Sequence, residues 1–311
     1  MNDPIYHHFL PQFYQRRWVG PDGRLCRFSK PYGDLISAKR VSPKRTGGQD
    51  LLYSLTGAPT DQAQRIETDI MCSVDTLASD ALSMLENGDP QLQHDAKYRS
   101  AWPRFVMSLM MRTPEDIAGL QHALREEWAR HMPELVRKYA EQRALSDPPT
   151  FQGYLDRLKF ADMRDWALEI GPKLMDHRWI DNILNNMRWF VRSIEGGEGQ
   201  YLTSDRPVLM VDELKSPEAF IMLPVGPTRL FVVVHNVETQ RRVEAVEPAQ
   251  HIQGINMMAA GRAMKCVYGR DDSLRDFIQE HFGTRRRSSL IDRLIAHRQR
   301  VNAAGGARSS E

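Results

Sequence analysis

At 311 residues, with 41% hydrophobic and 26% charged side chains, the chain has a globular composition and ample length for a buried core. No apolar run approaches the roughly 18 to 20 residues of a membrane-spanning helix, and three scattered cysteines, Cys26, Cys72 and Cys266, exclude a disulfide framework or a paired-cysteine metal knuckle. The net charge of +2 conceals two basic ends, about +6 over residues 1–48 and about +5 over 285–311, around a middle of about −9; this suits either an anionic partner, nucleic acid included, or neutralisation of the middle by the ends.

The N-terminus lacks the basic-then-apolar order of a signal peptide, so reduced thiols in a cytoplasmic protein are the expectation. Residues 7–18 mix histidines, aromatics and arginines around Pro11, which predicts an extended start and a short helix from Pro11. Its arginines, Arg16 and Arg17, either lie solvated over a tucked-in segment or contact an anionic ligand. Alternation around Pro21-Asp22-Gly23 and Pro31-Tyr32-Gly33 reads as a small antiparallel sheet, followed by a basic loop and a short apolar strand near residues 50–55.

From about residue 60 the period becomes helical and stays so to about 186. Ile66, Ile70, Val74, Leu77, Ala81 and Leu85 mark one helix, stopped by Asn87-Gly88-Asp89-Pro90. A second, about 95–111, contains Pro103, a site for a restart or kink. Thr113-Pro114-Glu115-Asp116 carries an N-cap, proline at the first helical position and acids in the first turn, and starts the longest helix. Another is expected over about 152–170, with Gly171-Pro172 stopping it and starting the next.

Residues 187–236 turn to short runs rich in Val, Ile, Phe and Leu between Gly/Pro-rich breaks, the pattern of an antiparallel meander. A charged link then leads to helices from Pro248 and over about 271–282. The fold class is therefore α+β: a helical middle packed with an antiparallel β-region, short N-terminal strands and C-terminal helices. Residues 1–284 are expected to form one unit, followed by a basic amphipathic tail over 285–311 that is helical to about 300 and disordered at its end.

Phosphate-loop, dinucleotide, zincin and nucleophile-elbow motifs are missing from the sequence, so no cofactor is named by it and no metal site is expected. What remains is a constellation of His7, His8, Asp205, His235, Asn236 and Asn256. His8 with Asp205 would supply a base of fixed tautomer near neutral pH, with Asn256 as an amide donor. Arg16, Arg17, Ser204, Arg206 and Asn236 would contact an anionic substrate. Two readings follow: a hydrolase acting on a phosphodiester or other anionic substrate, or a non-enzymatic nucleic-acid- or protein-binding module. At the bend itself, Asp205 either binds backbone, as Asp does in turns, or faces a cleft.

Several landmarks together resemble the domain of unknown function 4238 family. They are His8 to Tyr14 followed by Arg16-Arg17-Trp18; Asp50 to Ser54; Leu202-Thr203-Ser204-Asp205 with Pro207; Leu223 to Pro227; and Asn256. The resemblance spans residues 7 to about 268 and implies one unit, with no chemistry attached. This chain departs from the family pattern at Gln15, commonly leucine, and at Arg206, commonly asparagine, which would change a ligand contact made there.

Overall fold

The computed structural model describes residues 5–56, 58–59, 62–157, 163–176, 178–194, 199–212, 214, 216–285, 290–293, 296 and 300. Strand β1 (Tyr6–His8) precedes α1 (Gln12–Gln15), which Pro11 starts, as its missing N–H and fixed φ favour. Strands β2 (Leu25–Ser29), β3 (Ser37–Val41) and β4 (Gly48–Asp50) follow. The helical middle opens with a π-turn over Ile66–Met71 and continues as α2 (Cys72–Glu86), α3 (Gln91–His94), α4 (Ala96–Leu109), α5 (Pro114–Gln142), α6 (Phe151–Arg157), α7 (Met163–Met175) and α8 (Arg178–Asn186). Next come β5 (Arg188–Ser193), β6 (Thr203–Ser204), β7 (Leu209–Val211), β8 (Phe220–Gly226) and β9 (Arg229–Val234). The chain closes with α9 (Val237–Ala245), α10 (Pro248–Arg262), β10 (Val267–Gly269) and α11 (Arg275–His281). The fold is α+β, with every strand pairing antiparallel among the described residues.

Two four-stranded sheets organise the body, in orders β3-β2-β10-β6 and β5-β9-β8-β7, beside a β1-β4 pair. Alternation along β8 and β9 explains why the second sheet is covered on both faces. Ile221, Leu223, Val225, Phe231 and Val233 join the core of α2 and α4, whereas Met222, Leu230, Val232 and Val234 meet Val243 of α9 and Ile252 and Ile255 of α10. Farther along α10, Ala259 and Ala260 pack on Phe28, Val267 and Leu202 of the first sheet. Helix α10 is thus the wedge between the sheets.

Several expectations are corrected. The β-region is not one meander: β6, from Tyr201-Leu202-Thr203-Ser204, leaves its neighbours and pairs with β10. Residues 51–53 form turns, with Leu51 at φ 52°, so the strand ends at Asp50. Pro172 lies inside α7 and Pro103 inside α4, so Gly171-Pro172 does not divide α7 and α4 does not restart at Pro103. The charged link after Asn236 is α9. The expected tail helix and disordered end fall mostly outside the described residues. None of the described helices is long and apolar enough to cross a membrane.

Candidate functional site

The N-terminal segment reaches the strand that leads into the Thr203-Ser204-Asp205-Arg206-Pro207 bend. The Tyr14 hydroxyl lies 2.7 Å from Thr203 Oγ1 and donates to the Pro224 carbonyl at 2.6 Å. Trp18 Nε1 donates to the Tyr201 carbonyl at 2.8 Å. All five residues are buried, where such bonds are costly to leave unmade.

Within the bend, Ser204 and Asp205 hold main chain. Asp205 accepts from the backbone N–H of Met264 (3.0 Å) and of Lys265 (2.6 Å), and its own N–H donates to the Cys266 carbonyl at 3.0 Å. Its carboxylate thereby fixes the turn between α10 and β10. Burial pushes this carboxyl up to about 6, against the pull of those two amides. Ser204 Oγ accepts from the Arg206 N–H at 3.2 Å. Asn256, buried in α10, accepts from the Leu202 N–H (2.7 Å) and donates to the Gln200 carbonyl (2.8 Å), so one side chain stands in for a neighbouring strand. Arg206 reaches both oxygens of Asp116 at 2.6 Å. Asp116 also closes the capping box of α5 with Thr113, so this ion pair clamps the bend to a helix start.

His8 and Asp205 do not form the expected pair. His8 Nε2–H donates to the Pro43 carbonyl at 3.1 Å, since a carbonyl can only accept, and burial lowers its pKa. His7 Nδ1 instead accepts from the Tyr53 N–H at 2.9 Å, with its ring stacked on that tyrosine. His235 Nε2–H donates to the Leu214 carbonyl (2.8 Å). Asn236 caps α9 through the Thr239 N–H (2.8 Å). Arg17 is ion-paired with Glu86, whereas Arg16 is exposed. Asp205→Asn should therefore destabilise by about 1–3 kcal/mol, because an amide NH2 would face a backbone N–H. Chemical denaturation of this variant checks it, and a midpoint equal to wild type would mean that the turn tolerates the lost acceptor.

A second polar cluster carried no local sequence signal. The Arg112 guanidinium, 1% exposed, donates to both oxygens of Asp75 (2.8 and 3.0 Å), to Ser108 Oγ (3.2 Å) and to the His8 carbonyl (2.9 Å). Burial opposes its charge, and Asp75 and Tyr53 together more than offset that. Glu67, in the π-turn, shares this environment, and burial raises its carboxyl to about 7 despite Arg112. Its Oε2 and the Arg112 Nε are buried with no hydrogen-bond partner among the described residues. A neighbouring cavity of about 20 Å³, lined by Arg112, Tyr53 and apolar side chains, has room for about one water and no substrate.

The surface offers two further features. A cleft of about 480 Å³ lies along the first sheet, with Cys26, Ala38, Arg40, Arg270 and Asp272 in its walls. Arg40 is held there by Asp22 and by the Arg24 and Arg270 carbonyls. Burial pushes the Cys26 thiol up to about 11, which removes it as a nucleophile near neutral pH. Around this sheet, Arg24, Lys39, Lys44 and Arg45 are exposed, and none has a carboxylate partner among the described residues. No group of three or more potential metal ligands occurs among the described residues.

The family model described as a protein of unknown function, DUF4238, matches residues 6–273, and the chain belongs to that family. No curated protein and no solved structure matches it.

Proposed function

We propose that the protein is a non-catalytic binding module that holds an anionic macromolecular partner on the basic surface of its N-terminal sheet. The observation that carries this reading is the set of exposed cations without carboxylate partners among the described residues: Arg24 just before β2, Lys39 on β3, and Lys44 and Arg45 just beyond it. Elsewhere on the same sheet Arg40 is neutralised by Asp22. A hydrolase reading through His8, Asp205 and Asn256 has less support, because those side chains hold backbone groups of separate segments. A general base must reach a substrate proton, and Asp205 and Asn256 are buried.

Charge reversal tests this reading. In the double variant Lys44→Glu/Arg45→Glu, retention on an immobilised polyanion should fall at low salt while the melting temperature stays within a degree or two, as is usual for exposed sites. Wild-type retention should weaken steeply as salt rises, since exposed charges are screened over about 10 Å at 0.1 M. Equal retention of variant and wild type would remove the basic surface as the binding face.

A further inference from the structure

We propose that the outer edge of β3 receives an extended acidic peptide as an added strand. This rests on the reading of the basic surface as a binding face and names its partner.

Strand β3 ends its sheet, pairing on one side only, with β2. In an antiparallel pair, alternate residues direct their N–H and C=O away from the neighbour. Among the described residues, none of those outward groups of Ser37–Val41 has a backbone partner beyond β2. The strand is five residues long, about the usual strand length, and carries no proline to block a ladder. Its edge is therefore competent to pair.

The two faces of the edge set the partner's pattern. Lys39 lies opposite Arg27 and Ala38 opposite Phe28, so successive positions of β3 project to opposite sides. One side presents the exposed Lys39. The other carries Ala38 and Arg40 onto the 480 Å³ cleft, where Arg40 is already neutralised by Asp22. An added strand would place every second side chain beside Lys39, with Lys44 and Arg45 close in sequence at its end, and the alternate ones at the cleft margin. Acidic residues suit the first set and small apolar residues the second. Leu35, 76% exposed just before β3, extends the apolar contact at one end.

Charge also argues against a second copy of this chain. Antiparallel pairing of two β3 edges centred on the strand would set Lys39 opposite Lys39, and like charges directly opposed are unfavourable. A lysine on an open edge guards against indiscriminate pairing, yet it favours an acidic strand. The same edge thus rejects itself and selects its partner by sign.

The test uses the full chain and three probes in fluorescence anisotropy. The first is a peptide of about ten residues alternating glutamate and valine, long enough to span a strand. The second is the same peptide N-methylated at alternate residues, which removes main-chain donors and keeps charge. The third is a single-stranded oligothymidylate of matched charge. The first peptide should bind, N-methylation should weaken binding about tenfold or more, as expected for losing one or two hydrogen bonds, and Lys39→Glu should weaken it similarly. Equal binding of the methylated and unmethylated peptides would overturn strand addition while leaving the basic surface as a binding face. Tighter binding of the oligonucleotide would overturn the peptide in favour of nucleic acid. Failure of all three probes at low salt would overturn strand addition and the basic-surface reading together.

Discussion

Replacing Arg112 by methionine is expected to cost about 3–5 kcal/mol of stability, the scale for breaking a buried ion pair by removing one partner. The melting temperature should fall on the order of 10 °C. Methionine fills much of the volume but returns none of the donors that now satisfy Asp75, Ser108 and the His8 carbonyl. The carbonyl matters most for architecture. Through it, a residue in the turn between α4 and α5 holds β1 against the helical core across a sequence separation of 104. Adding Asp75→Leu should recover part of the loss, because an apolar pair no longer strands a carboxylate. A loss below about 1 kcal/mol in the single variant would show that Asp75, with its side chain 22% exposed, is rehydrated at little cost.

Glu67→Gln is expected to raise stability at pH 8 by up to about 3 kcal/mol and to change little at pH 4. The folded protein raises this carboxyl from an ordinary value of 4.5 to about 7. Between those values the folded state holds a proton that the unfolded state has released, so wild-type stability falls as pH rises through the window. The full cost is present above about pH 7. Glutamine keeps the shape and cannot ionise, so its stability profile should be flatter. Asp205, raised to about 6, acts in the same direction and leaves a smaller slope between about pH 4 and 6. Denaturant midpoints at pH 4 and pH 8 check this, and equal pH profiles for variant and wild type would mean that Glu67 ionises as readily in the folded chain as outside it.

How much of this was legible depended on how local the cause was. Thr113, Pro114 and Asp116 announce the start of α5 because cap, proline and first-turn acid act within four residues. Pro11 announces α1 in the same way. Val, Ile and Phe in β8 and β9 show their strands by propensity and spacing. The path of β6 into the other sheet was hidden, because its partner Val267–Tyr268 lies more than sixty residues onward and no local pattern records that choice. Proline was over-weighted at Gly171-Pro172, where packing of Leu168, Pro172 and Met175 into the core carries α7 through.

The candidate site was legible in part. The sequence marked Asp205, Ser204, Arg206 and Asn256 as unusual, and all four make specific contacts, though with main chain and with Asp116 rather than with His8. Arg112 and Glu67 stayed silent. A lone arginine after an apolar helix end and a glutamate at a helix start look like solvated charges, and only long-range burial reveals otherwise.

The central position of β10 has a consequence for how the chain reaches its fold. It supplies both the partner of β2 and the partner of β6, so the four-stranded sheet cannot close until residues 267–269 have left the ribosome. Until then the β2–β3 hairpin holds Cys26 and Phe28 without the β10 and α10 surfaces that later cover them. During synthesis, at some 5–20 residues per second, that apolar face waits about 10–50 s for its cover. The first strands made are among the last to be finished.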